Sequence, residues 1–347
     1  MSRDVASDDG RTADGDDRVR AGLAAWLVDR HGAVGVTLDG WHRPAGGLSS
    51  DTVFVRASWS AGGATHEQEL VLRCAPRGAG TFADYDLSGQ WRAQRAAADA
   101  GVPVADPVLE ADPVWIGRPF VLMRRVGGHV VGSVTLADPW LLSLDDEARA
   151  RVVRGLLEMM ARVHRAVPPG PDQVPHRDNT EELAHWEAYL DWSSGGAPVA
   201  TLVDALDWCR RHRPDREPEQ VLLWGDARLE NVVVGDDLAI RAVLDWDMSS
   251  VGSPWHDIAW FTSLDITMEH LFGRRLPGWP DRAAAVAVYE ELAGRTAESL
   301  AWYETLAMVR STALMTRLGY LRRDAGESPL LPIDDNPLLD LLHDRIT

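Results

Sequence analysis

The feature that most constrains this chain is a change of hydrophobic period near residue 128. Before it, β-branched and aromatic residues come in short runs bounded by glycines; after it, apolar residues recur at helical spacing over long stretches. A chain that switches period in this way builds a strand-rich part and a helix-rich part, and 347 residues exceed one ordinary core. Residues 51–59 read as a strand, Gly62-Gly63 as a turn and residues 69–74 as the return strand of a hairpin. Residues 118–123 read as a further strand, ended by Gly127-Gly128. A helix over 18–31, with Leu23, Trp26 and Leu27 at helical spacing, and a helix over 85–100, closed by Gly101 and Pro103, complete this part.

In the second part, helices over 144–166, 180–193 and 200–213, and others beginning near 254, 282 and 297, surround short apolar strands at 221–224, 232–234 and 240–246. The expected class is α+β: an N-terminal β-rich lobe over 18–128, a larger helical lobe over 129–347, and an acidic tail over 1–17 without fixed structure. That tail lacks the apolar segment of a secretion signal, and no apolar run reaches the roughly 18 residues of a membrane span. Two cysteines, Cys74 and Cys209, argue against a disulfide framework and for a reducing, cytoplasmic setting. A net charge of -18 disfavours nucleic acid and anionic membranes and mildly favours cationic partners. All 35 basic residues are arginine, because the chain contains no lysine.

The chemistry concentrates in Leu223-Trp-Gly-Asp226-Ala-Arg-Leu-Glu-Asn231 and in Val243-Leu-Asp245-Trp-Asp247. Phosphoryl transfer to a hydroxyl needs a carboxylate near the acceptor, oxygen ligands for a metal on the phosphates, and a cation along the phosphate chain. Protein-kinase catalytic loops place the Asp five positions before a metal-binding Asn, with a second Asp after a short hairpin. Here Asp226 precedes Asn231 by five and Asp245 follows Asn231 by fourteen.

Trp224-Gly225-Asp226, Asn231, Asp245-Trp246-Asp247 and Gly252-Ser-Pro254-Trp-His-Asp257-Ile-Ala-Trp260 resemble the aminoglycoside phosphotransferase and choline kinase family. Within it, they most resemble the kinase-like domains of acyl-CoA dehydrogenases. The resemblance implies a bilobal, protein-kinase-like fold and an ATP- or GTP-dependent, magnesium-using small-molecule kinase. By it, Asp226 orients or deprotonates the acceptor hydroxyl, Asn231 and Asp245 hold magnesium, Asp257 accepts hydrogen bonds from the catalytic loop, and Asp247 supports the site. Trp224 stands where the family has His, a change expected to remove a polar support of the loop.

The fold also calls for a basic residue on the third strand and an acidic partner on the next helix. Without lysine, Arg73 is the occupant, and Gln90 stands at the partner position, an amide that orients but does not neutralise. Residues 45–50 form the expected phosphate-covering turn, with Ser49 and Ser50 toward phosphate oxygens. Arg124 and Val126 fall where backbone reads the purine edge. Asp265, Glu269 and Trp279 are candidates to bind the acceptor.

The acceptor is left open between an antibiotic, aminoglycoside-like or another natural product, which makes this a resistance enzyme, and a metabolic amino alcohol, sugar or hydroxyacyl thioester. A nucleotide-binding pseudokinase with an interaction role is the non-enzymatic alternative, and the expected state is monomer or homodimer. The missing lysine excludes a Walker-type phosphate loop and a lysine Schiff base, and no Cys/His cluster has zinc spacing. His164-Arg165 is expected to be part of a packed helix face.

Overall fold

The computed structural model describes residues 13–43, 50–76, 80–333 and 336–347. They gather into two compact units, one of residues up to 88 with 106–125, the other of 89–105 with 126–347.

The first unit begins with α1 (Ala13–His31), five residues earlier than expected and inside the segment taken as an unstructured tail. Its sheet contains β1 (Val34–His42), β2 (Asp51–Ala61), β3 (Ala64–Cys74), β4 (Val108–Glu110) and β5 (Phe120–Arg124), in the antiparallel order β1-β2-β3-β5-β4. Gly62 and Gly63, both at positive φ, close the β2–β3 hairpin between the paired Ala61 and Ala64, the conformation a tight hairpin turn demands. Alternate residues of the hairpin, Val53, Val55 and Ala57 with Leu70 and Leu72, turn inward against Leu23, Trp26 and Leu27 of α1. Gly22 lets α1 approach the chain at Trp115, because a Cβ there would lie 2.0 Å from the Trp115 carbonyl oxygen.

The sequence reading misses β1. This edge strand is exposed or half-buried along its whole length and carries two glycines, so it lacks the apolar alternation that marks a strand with a buried face.

The helix α2 (Leu87–Asp99) straddles the division, and 89–105 group with the second unit rather than with the first. The chain after it is tied there, with Val243 N donating to Pro103 O at 2.8 Å and Arg162 Nη1 to Gly101 O at 3.3 Å. The second unit continues with α3 (Pro139–Ser143), α4 (Asp146–Val163), α5 (Asn179–Ser194) and α6 (Ala200–Arg211). Two small antiparallel sheets follow: β6 (Val221–Leu223) pairs with β9 (Ser250–Gly252), and β7 (Val232–Val234) with β8 (Ile240–Val243). The chain ends in α7 (Trp255–Phe272), α8 (Arg282–Ala293), α9 (Leu300–Asp324) and α10 (Pro337–Ile346).

Local chemistry sets these helix ends. Asp145 and Asp281 cap the first turns of α4 and α8, and Asp178 with Glu181 form a reciprocal capping box on α5, caps worth about 1 kcal/mol each. Buried Glu304 on α9 accepts from Thr262 Oγ1 of α7 at 2.9 Å, Arg282 Nε of α8 at 2.5 Å and Arg345 Nη2 of α10 at 2.7 Å, joining four helices through one carboxylate. Among the described residues no helix is long and apolar enough to cross a membrane.

Candidate active site

Strand β6 is three buried apolar residues, Val221, Leu222 and Leu223, and the loop that follows carries Asp226. Gly225 makes that loop possible. Its φ is +88°, and a Cβ on it would lie 2.1 Å from the carbonyl oxygen of Met248, so the Asp226 loop and the loop after Asp245 meet backbone to backbone. Trp224 Nε1 crosses the same junction, donating to Leu244 O at 2.8 Å and lying 3.2 Å from Asp245 O. The expected loss of a polar support at Trp224 is therefore corrected, since the indole N–H provides one.

Asp226 is 8 % exposed and both its oxygens are engaged. Trp260 Nε1 donates to Oδ1 and Asn231 Nδ2 to Oδ2, each at 2.7 Å. Asn231 Nδ2 also donates to Asp226 O at 3.0 Å, which fixes the sense of the amide: its nitrogen faces two acceptors, so its oxygen is left for a cation. Leu244 N donates to Asn231 O at 2.8 Å and sets Asp245 beside this turn. Asp245 adopts a left-handed φ of +52°, strain of the kind held only where the surroundings fix it, here by Trp224 and by buried Trp246. Asp247 is half-buried, and its N–H points to Asp245 Oδ1 at 3.3 Å.

An amide oxygen and a carboxylate are hard donors, few in number. They fit a magnesium ion that takes one or two protein ligands and completes its shell with phosphate and water. Among the described residues no group of three or more His, Cys, Asp or Glu is arranged as a metal cage.

Behind the loop, buried Asp257 on α7 accepts from Trp224 N at 2.8 Å, Gly225 N at 2.9 Å and His164 Nε2 at 3.0 Å. His164 Nδ1 in turn lies 2.8 Å from Tyr289 OH, whose pKa burial pushes up, so the phenol stays protonated and can donate. His164 is thus more than the packed helix residue the sequence suggested. It carries a hydrogen-bond chain from α8 through the end of α4 to the Asp226 loop.

Arg310 on α9 is a further support the sequence does not flag. Its guanidinium lies over the rings of Trp186 and Trp260, 5.2 and 4.9 Å from their centroids, and Nη2 donates to Gly225 O at 3.3 Å. Glu182 faces it at 3.9 Å and accepts from Arg177 Nε at 2.6 Å and Trp186 Nε1 at 2.9 Å. Burial works to raise the Glu182 pKa, but Arg177 and Arg310 hold it well below the usual carboxylate range. Burial lowers the Arg310 pKa, with Glu182 opposing. Within the Asp226 loop, Arg228 Nε lies 3.2 Å from Asp226 Oδ1. Attraction to Asp226 above all, and to Glu230 and Asp245, raises the Arg228 pKa.

In the first unit, Arg73 on β3 pairs across to Thr52 and Val121. Its Nε donates to Ser50 Oγ at 3.0 Å and its Nη2 to Tyr85 OH at 3.1 Å. Tyr85 is a second residue the sequence reading leaves out. Ser49 and residues 45–48 of the expected phosphate turn lie outside the described residues. Arg124 is exposed at the end of β5, Val126 follows it in the second unit, and Gln90 stands on the first turn of α2.

Asp265, Glu269 and Trp279 line one small pocket with Met268, Arg274 and Arg275. Arg275 lies 3.2 Å from Asp265 Oδ2 and 2.6 Å from Glu269 Oε2, so the cleft contains its own counter-charges. Burial pushes the Asp265 pKa up to about 6 against the pull of Arg275.

The model of a family described as phosphotransferase enzyme family matches residues 40–303. Acyl-CoA dehydrogenase family member 10 of Mus musculus is 27 % identical over 225 residues, which cover 62 % of this chain and 19 % of that protein. The chain spans about a fifth to a third of the length of the curated relatives it matches. Among solved structures, a Ralstonia eutropha JMP134 protein provisionally termed an aminoglycoside phosphotransferase has a TM-score of 0.66 at 21 % identity, over 94 % of this chain and 97 % of its own. A macrolide 2'-phosphotransferase type I has a TM-score of 0.57 at 17 % identity, over 97 % of this chain and 98 % of its own. At these identities the likeness carries the fold, which is the expected kinase-like α+β architecture. With the family model covering most of its length, the chain belongs to the phosphotransferase enzyme family.

Proposed function

We propose that this protein transfers the γ-phosphoryl group of ATP or GTP, with magnesium, to a hydroxyl of a small molecule. The observation that carries the reading is Asp226, a buried carboxylate gripped at both oxygens by Trp260 and Asn231. So held, it points lone pairs in fixed directions and accepts the acceptor's proton as the new O–P bond forms, while the electron pair of the broken P–O bond leaves on the nucleoside diphosphate. Asn231 Oδ1 and Asp245 are the residues that would hold magnesium, which would supply neutralisation of charge on the phosphates. Arg73, oriented by Ser50 and Tyr85, supplies the cation that a lysine supplies in other kinases.

For the acceptor, the cleft of Asp265, Glu269 and Trp279 is the proposed site. An acid-rich cleft would select a polycationic aminoglycoside, but Arg274 and Arg275 stand with the two acids. That balance supports a second reading beside an antibiotic acceptor: a metabolic hydroxyl compound bearing anionic as well as polar groups.

The test has two stages. Calorimetric titration with Mg·ATP and Mg·GTP selects the donor. A screen of antibiotics and hydroxylated metabolites, read by mass for a gained phosphate, then finds the acceptor. Asp226→Ala should bind nucleotide normally and transfer about 10²–10⁴-fold more slowly. Failure of the wild type to bind either nucleotide sinks the proposal, and tight binding without transfer to any acceptor returns the chain to a pseudokinase role.

A further inference from the structure

The first unit holds an ion-pair cluster that the proposed reaction does not use, and it begins one residue from the hydroxyl that orients Arg73. Successive side chains of a strand point to opposite faces, and the entry to β2 divides in this way. Ser50 and Thr52, with hydroxyl oxygens 3.0 Å apart, stand on the face of Arg73. Arg73 Nε donates to Ser50 Oγ at 3.0 Å, and Arg73 pairs across the sheet with Thr52. Asp51 lies between them, and two arginines take its carboxylate: Arg43 Nε donates to Oδ1 at 3.0 Å, and Arg118 Nη2 donates to Oδ2.

Each arginine has a second anchor. Arg43 Nη1 donates to Asp16 Oδ2 of α1 at 2.7 Å. Arg118 Nη1 donates at 2.5 Å to Ala75 O, just past the rung where Cys74 pairs with Asp51. One carboxylate thereby ties the entry of β2 both to α1 and to the exit of β3, at the rung next to that of Arg73. The side chains of Asp51, Arg43 and Arg118 are only 22, 28 and 14 % exposed, so solvent screens these pairs less than ordinary surface salt bridges. Burial works to raise the Asp51 pKa, but Arg118 and Arg43 lower it, and the carboxylate is ionised at neutral pH.

A lysine ammonium is a point charge with three rotatable donors and serves a phosphate from many rotations. A guanidinium is a planar fork that matches phosphate oxygens only when its plane is right. In a chain without lysine, the cation on β3 needs that plane fixed. A serine hydroxyl at a strand entry fixes it only as firmly as the backbone there is held. Resting on the function proposed above, we infer that Asp51 is a positioning residue for the nucleotide phosphates: clamped by Arg43 and Arg118, it holds Ser50 against Arg73 and so sets the plane in which the guanidinium meets them.

The test is a double-mutant cycle on the full-length protein, read by calorimetric titration with Mg·ATP or Mg·GTP, whichever binds the wild type. Asp51→Asn removes the charge that both arginines hold and should weaken nucleotide binding by about tenfold. In an Arg73→Lys background, where no plane has to be set, the same change should alter affinity by less than about twofold. A carboxylate that serves the fold alone would not distinguish the two backgrounds. Where Arg73→Lys binds too weakly to titrate, Ser50→Ala takes its place in the cycle, and Asp51→Asn should add less than about twofold to it. Thermal melting accompanies each titration. If Asp51→Asn does not fold, Arg43→Gln, which leaves Arg118 on the carboxylate, replaces it and should cost about threefold in the wild-type background alone.

The same loss in both backgrounds, or unchanged affinity in the wild-type background, overturns the inference and leaves the proposed function standing. A wild type that binds neither nucleotide overturns the function, and this inference with it.

Discussion

Trp260 Nε1 donates a 2.7 Å hydrogen bond to Asp226 Oδ1, so a residue on the first turns of α7 aims a carboxylate on the loop after β6. Trp260→Phe retains the ring and removes the donor. Because Oδ2 is still held by Asn231, the carboxylate should stay in place but rock. Transfer should fall roughly tenfold or more with nucleotide affinity unchanged, and stability should drop by about 1–3 kcal/mol. Steady-state kinetics and urea denaturation check both halves. Unaltered turnover would show that the bond is packing alone.

Gly225→Ala should be among the most damaging single-methyl changes in the chain. The new Cβ needs space occupied by the Met248 carbonyl and a φ that L residues rarely adopt. A loss of more than about 2 kcal/mol, or displacement of the Asp226 loop with loss of transfer, is expected. Thermal melting with turnover distinguishes them. Tolerance of alanine would mean that the two loops do not meet as described.

The candidate site is legible in the sequence because it is local. Asp226, Asn231 and Asp245 are spaced by loop and hairpin geometry, so a motif captures them. Trp260 belongs to that motif, yet its bond to Asp226 follows only from the course of α7. Arg310 stands 85 residues beyond Gly225, whose carbonyl it meets, and no local pattern announces such a contact. The edge strand β1 was lost for the opposite reason: it buries too little to leave an apolar period.

The Asp257 carboxylate receives three donors, two from backbone N–H groups of the catalytic loop and one from His164. Asp257→Ala should leave all three buried without a partner and cost about 3–5 kcal/mol. His164→Ala removes one donor and should cost about 1–3 kcal/mol. Denaturant unfolding should rank the two in that order, and a reversed order would place the weight of the buttress on His164 and Tyr289 instead.

Asp265 gives stability a pH dependence with a defined sign. Its pKa is raised to about 6 in the folded protein from an ordinary 3.8, so the native state binds this proton more tightly than the unfolded chain does. The contribution is therefore full below about pH 4 and is lost as pH rises through about 6. Asp265→Asn should unfold at nearly the wild-type denaturant midpoint at pH 4 and be more stable at pH 8, by on the order of 2 kcal/mol. A constant difference between the two proteins across that range would contradict the buried placement of the acid.

Arg310 and Glu182 form a buried pair whose removal has two separable consequences. Arg310→Met leaves Glu182 with Arg177 alone and takes away the cation between Trp186 and Trp260. Removing Arg310 costs up to about 3 kcal/mol, because buried Glu182 keeps its desolvation with one cation fewer. The double variant Arg310→Met, Glu182→Met removes that carboxylate and, with part-exposed Arg177 free to turn toward solvent, should recover part of the stability, leaving a non-additive cycle in denaturation. Activity should not follow stability. With no cation over its ring and no donor on the Gly225 carbonyl, Trp260 holds Asp226 less firmly in the single and the double variant alike. Transfer should remain depressed after stability returns, and nucleotide affinity should be that of the wild type. If activity recovers together with stability, Arg310 serves the fold alone, and the chain of contacts from α9 through Trp260 to Asp226 carries no catalytic weight.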